Sequence, residues 1–152
     1  SVFAVVLEEV MARHELATLL SAAHEISGLA MKLAADGSAV GRLAQLVSTY
    51  RQLSGATAVG VAGLGTDVIS LDAHLEALIA EARASGSQRV WPIEPGMTRP
   101  SPTRLAVSIR LRDGSYGGVG TAWREQRKRW HRDFELLNVF AAACYIVSSG
   151  VL

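Results

Sequence analysis

The chain sets long apolar stripes at helical spacing against short stretches of strict two-residue alternation. Residues 2–33 contain no proline and one glycine, Gly28. Apolar side chains recur there in a seven-residue pattern. Val2, Leu16, Ala23 and Ala30 fall at one position of the heptad, and Val5, Ala12, Leu19, Ile26 and Leu33 at the other; Glu9 breaks the pattern. At a rise of ~1.5 Å per residue this helix exceeds what a small domain needs to cover one sheet. The seam suits another helix of the chain or a second subunit, and self-association through it is expected. Gly37 fits a left-handed position at the helix end, and Ser38 an N-cap for the next helix. Val40, Leu43, Ala44, Val47, Tyr50 and Leu53 then keep helical spacing as far as Gly55.

Residues 56–63 read as a thin strand. Ser70 can cap a third helix with the stripe Leu71, Leu75, Leu78, Ile79 and Ala82, which Gly86 ends. Residues 88–93 form a short edge strand, closed by Pro92. The stretch 94–103 holds three prolines and reads as a loop.

Residues 104–125 give the firmest local pattern. Leu105, Val107, Ile109 and Leu111 alternate with Arg104, Ala106, Ser108, Arg110 and Arg112. Asp113-Gly114 suits a two-residue type I′ turn, and the return strand carries Tyr116, Val119, Thr121 and Trp123. That turn would pair Ile109 with Gly118, Val107 with Gly120 and Leu105 with Ala122, leaving grooves for helices. The other face would pair Arg110 with Gly117, Ser108 with Val119, Ala106 with Thr121 and Arg104 with Trp123. A basic, aromatic turn at 123–132 leads into a last helix over 133–150. Its stripes, Leu137, Phe140, Ala141, Cys144 and Val147 beside Leu136, Val139, Ala143 and Ile146, predict burial on two sides.

The 152 residues suit a single domain over 1–152, with an N-terminal helix at 1–34 and a sheet-and-helix core at 38–152. Both ends of the chain lie within apolar runs, so it reads as a piece of a longer protein. A net charge of +1 points to neither nucleic acid nor membrane. The segment 136–152 is uncharged, but Asn138, Ser148, Ser149 and Gly150 favour a buried helix over a membrane span. Cys144 stands alone, which excludes an internal disulfide and a cysteine-based zinc site. No leader precedes the first helix, so a cytoplasmic location is expected.

Candidate chemistry is sparse. His14 and His24 lack ligand spacing, and no metal or cofactor is expected. Gly60, Gly63 and Gly65 reverse the dinucleotide order, and no Walker lysine follows. Arg124, Arg127, Lys128, Arg129 and Arg132, with Trp123 and Trp130, would suit phosphates or bases, but Glu125 and Asp133 temper the run. No Ser, His and acid set can be assembled, so the chain is not expected to be an enzyme.

The strand pair AVSIRLRDGSYGGVGTAW, the helix opening DFELLNVFA (133–141) and the entry QLSGATAVGVAG (52–63) together resemble the GAF family of sensory domains, related to PAS. The cyclic-nucleotide signature Asn-Lys-Phe-Asp-Glu is absent, and no cysteine stands where a bilin-bearing or sulfoxide-reducing relative would need one. The resemblance implies an α+β fold, an antiparallel sheet flanked by helices, with long terminal helices packed together. It implies a sensory module that binds a small molecule or a partner domain and signals through those helices. In such a fold a ligand would meet the more polar sheet face, at Ser108, Val119, Thr121, Trp123 and Trp91. Leu16, Leu19, Ile26, Leu33, Leu136, Val139 and Ala143 are the expected contacts of a homodimer formed through the terminal helices, with neighbouring domains as further partners. The alternatives are a ligand-free structural or protein-interaction domain and, more weakly, a nucleic-acid contact through 124–132.

Overall fold

The computed structural model describes residues 1–36, 39–65, 67–68, 71–91 and 102–149. Its elements are α1 (Val2–Ala34), α2 (Ala39–Ser54), β1 (Ala58–Ala62), α3 (Ala73–Ser85), β2 (Arg89–Trp91), β3 (Arg104–Arg110), β4 (Tyr116–Ala122) and α4 (Trp130–Ser149). The four strands pair antiparallel in the order β1-β4-β3-β2. The fold is α+β, with the long terminal helices α1 and α4 packed together. The expected caps Gly37 and Ser38 and the loop from 92 to 101 lie outside the described residues. Beyond β1, Val68 makes an isolated antiparallel bridge to Val61, with N···O distances of 3.0 and 3.2 Å.

The hairpin forms, but one residue away from the expected register. Arg110 pairs with Tyr116, Val107 with Val119 and Leu105 with Thr121. Three residues, not two, make the loop. The Gly114 N–H donates to the Leu111 carbonyl at 3.1 Å, and the Leu111 N–H to the Ser115 carbonyl at 2.9 Å. Gly114 has φ +86°, whereas Asp113 keeps a negative φ. The Asp113 carboxylate accepts the Ser115 N–H at 2.9 Å and its hydroxyl at 2.6 Å, which fixes the turn with a single left-handed residue.

A one-residue slip changes which side chains share a face. Leu105, Val107, Ile109, Val119 and Thr121 join Val59 and Val61 beneath α1, α2 and α4. Ala106, Ser108, Gly118, Gly120 and Ala122 join Ala58, Gly60 and Ala62 beneath α3. Val107 thus opposes Val119 and Leu105 opposes Thr121 on one face, while Ala106 opposes Gly120 and Ser108 opposes Gly118 on the other. The small face lets α3 settle against the backbone: a Cβ on Gly120 would stand 2.7 Å from Ile79 Cγ1 and 2.8 Å from Leu75 Cδ1.

Asp72 caps α3, accepting the Leu75 N–H at 2.9 Å. Ser70, the expected cap, lies outside the described residues, and Leu71 precedes the helix fully exposed rather than joining its stripe. Asp72 also meets Arg104 at the start of β3 through both carboxylate oxygens, at 2.9 and 3.1 Å, tying helix to sheet. Gly86 ends α3 with φ +67°.

On the other face, Leu43, Leu46 and Tyr50 of α2 point into the core, and the Tyr50 ring stacks on Phe140 of α4 at 4.2 Å. Arg42 Nη1 reaches the Leu33 and Ala34 carbonyls at 3.3 and 3.4 Å and so caps the end of α1. The seam of α1 changes environment along its length. Ile26, Ala30 and Leu33 are buried with α4 and α2, and Leu19 and Ala23 are partly buried. Val2, Val5, Glu9 and Leu16, at the same heptad positions earlier in the helix, are exposed.

Candidate functional site

The five expected ligand-lining residues do not share a face. Ser108 and Trp91 lie on the α3 side, Ser108 half-buried and Trp91 stacked on His74 of α3 at 5.3 Å. Val119 and Thr121 lie on the opposite side, fully buried in the main core, and Trp123 is buried just beyond β4. Their separation follows directly from the hairpin slip. The small-residue face is occupied by Leu75, Leu78, Ile79 and Ala82 of α3. What remains there is a cavity of about 260 Å³ at the β1 edge, bounded by Gly60, Ala62, Asp67, Val68, Glu76 and Arg83 among others.

The larger cavity, about 550 Å³, is a groove between α1, the end of α2 and the turn leading into α4. Its walls grow from local chemistry. Trp123 is locked by its Nε1–H, which donates to the Ser54 carbonyl at 2.9 Å, and Arg127 lies over its ring at 4.7 Å. Arg127 also grips Asp133 in a two-bond fork, Nε to Oδ2 at 3.0 Å and Nη2 to Oδ1 at 3.1 Å. That bond raises the guanidinium pKa further above its ordinary value. The Arg127 N–H donates to the Pro102 carbonyl at 2.7 Å, which holds the turn to the chain just before β3.

Across the groove, Glu15 of α1 meets Arg129 and Arg132 at the start of α4, the latter at 2.6 Å. Lys128 and His14 also face the groove. Leu19, Ala22, Leu53 and Leu136 supply its apolar floor. Four cationic side chains therefore stand against two carboxylates, an excess of two positive charges.

Of the expected dimer contacts, Ile26, Leu33, Leu136 and Ala143 are buried within this chain, and Leu19 and Val139 are partly covered. Leu16 stays half exposed. The structure joins the basic turn to residues that sequence spacing did not connect with it, Glu15, Leu53 and Ser54 above all. A signal for Glu15 was present: it sits within the stripe Ala12, Leu19, Ala22 and Ile26, where an acid needs a partner.

No family model matches this chain, and no curated protein matches it in sequence. In structure it is similar to free methionine-R-sulfoxide reductase from Neisseria meningitidis, solved in complex with its substrate. The TM-score is 0.60 at 13% identity, over 82% of this chain and 86% of that one. It is also similar to an N-acylhomoserine lactone-dependent LuxR-family transcription factor from Burkholderia cenocepacia. There the TM-score is 0.52 at 11% identity, over 87% and 94% of the two chains. The likeness is one of fold.

This likeness corrects one expectation. The chain was not expected to be an enzyme because no reactive set could be assembled from its sequence, yet the same fold carries a reductase. Catalytic groups meet in space rather than along the chain, so their absence from sequence spacing does not exclude catalysis. In this chain Cys144 is fully buried in α4, and burial pushes its thiol pKa up. Tyr50 Oη and Thr121 Oγ1 are buried without a hydrogen bond among the described residues; burial likewise raises the Tyr50 phenol, opposed by the nearby Thr121 hydroxyl. Among the described residues no group of three or more His, Cys, Asp or Glu side chains is placed to hold a metal ion. No helix there is long and apolar enough to cross a membrane.

Proposed function

We propose that this chain is a GAF-type regulatory module that binds a small molecule and relays the event through α1 and α4 as a homodimer. The observation that carries this reading is the change of environment along α1. One continuous helix has its second half in the core and its first half exposed and apolar, with Val2, Phe3, Val5, Val6, Val10 and Met11 all at least half exposed. A helix held rigidly at one end transmits a shift in its packing to the other.

A second copy is the fitting occupant of that exposed half. The heptad running into α4 within the chain continues upstream through Val2, Val5 and Leu16, and Glu9 is satisfied on its own helix by Arg13 at 2.6 Å. A parallel pair of such seams would give a coiled coil. The likeness in fold to a ligand-dependent transcription factor is compatible with a regulatory ligand-binding module. The closure of the small-residue face by α3 favours a second reading, an interaction domain without a ligand. Sedimentation equilibrium tests the dimer: a concentration-dependent dimer is expected, and a monomer throughout the micromolar range contradicts it.

A further inference from the structure

We propose that the groove at the α1–α4 junction binds a small amphipathic anion, whose carboxylate or phosphate takes Arg129 and Arg132 from Glu15. The Glu15 contact is the weak point of the site. Both guanidiniums end on one oxygen of the Glu15 carboxylate, Oε2. An arriving oxyanion can give each arginine its own oxygen. Lys128 has no ion-pair partner among the described residues and faces the same cavity, adding an uncompensated charge.

Arg127 differs from its neighbours. Its fork to Asp133 and its seat on Trp123 leave it structural, so the anion head belongs nearer α1 than the Trp123 side. The floor of Leu19, Ala22, Leu53 and Leu136 asks for an apolar body behind the charge, which inorganic phosphate lacks. A cavity of about 550 Å³ suits a metabolite-sized ligand and is too small for a folded partner. Displacing Glu15 would remove the ion pairs that join α1 to the start of α4, just where α1 passes from buried to exposed. That consequence rests on α1 being the output helix; the binding itself does not.

Hexyl phosphate, hexanoate, inorganic phosphate and neutral hexanol are the probes, each titrated by calorimetry against the intact chain. Saturable binding is expected for hexyl phosphate or hexanoate and not for hexanol, and the stronger of the two identifies the head group. Inorganic phosphate should bind more weakly than hexyl phosphate. Arg129→Gln with Arg132→Gln should weaken binding about tenfold or more. Glu15→Gln, which removes the internal competitor, should strengthen it about two- to fivefold. Absence of binding to both the wild type and Glu15→Gln overturns the site, as does affinity unchanged by the double arginine variant. Dimer affinity is measured alongside: binding that leaves it unchanged keeps the site and refutes the relay.

Discussion

The two halves of α1 are built from the same residue types and meet opposite surroundings. From Leu19 to Leu33 the seam is closed by α4 and α2, and Ile26 has no exposed surface. From Val2 to Leu16 the same heptad faces outward, with Phe3 three-quarters exposed. The helix pattern is blind to this difference, because helical periodicity records which residues are apolar and not what covers them. The buried half therefore contributes to the core, and on the proposed reading the exposed half serves association.

The largest expected effect lies in the buried half. Ile26→Ala leaves a cavity in the packed core and should cost about 2–4 kcal/mol in urea unfolding. Val6→Ala, on the exposed half, should stay within about 0.5 kcal/mol. Equal costs would break the contrast. The next effect reverses the two halves. Val2→Glu with Val5→Glu should weaken association by about tenfold or more while leaving the dilute monomer within about 0.5 kcal/mol of wild type. Sedimentation and urea curves on the same samples separate the two outcomes.

The acid–arginine contacts sharpen the comparison further. Asp72 combines a helix cap with an ion pair, and both partners are about one-fifth exposed. Burial raises its pKa, but the Leu75 N–H and Arg104 outweigh this and hold it below the ordinary carboxylate value. A depressed folded pKa contributes stability that is complete above the unfolded value, ~3.9, and is lost as the pH falls through the lower folded value. Asp72→Ala should therefore cost about 1 kcal/mol at neutral pH, and less in acid, as urea curves at several pH values would show. Glu15→Gln should cost less than about 0.5 kcal/mol, since Arg129 is half exposed and solvent screens the pair. A Glu15 loss as large as that of Asp72 would make the groove pair a structural tie rather than a displaceable one.

The one change expected not to destabilise concerns the sheet beneath the buried half. Thr121→Val removes a buried hydroxyl that lacks a partner among the described residues, and should be neutral or stabilising by up to about 1 kcal/mol, read as a thermal shift. Marked destabilisation would mean that the hydroxyl is satisfied in the core by the nearby Tyr50 phenol.

Much of this was legible in the residues. Alternation through Leu105, Val107 and Ile109 marked β3, Gly86 marked the end of α3, and the two stripes of α4 foretold its double burial. The register was not legible, because Asp113-Gly114 fits both a two-residue and a three-residue loop, and the choice rests on the Ser115 bonds to Asp113. From that one-residue error followed the misplaced ligand face, with Val119, Thr121 and Trp123 put beside Ser108. The groove was half legible. Its arginines stand together in sequence, but Glu15 lies 114 residues from Arg129, and only folding brings them into contact.

The most direct test of α1 as an association helix is oxidative cross-linking of Val5→Cys, with Ala30→Cys as the buried control. Cys144 is buried, so it does not compete. In a parallel pair the two copies of residue 5 come within the ~4.4–6.8 Å Cα separation that a disulfide spans. The account predicts covalent dimers from Val5→Cys and none from Ala30→Cys. Cross-linking at neither position, or equally at both, would contradict it.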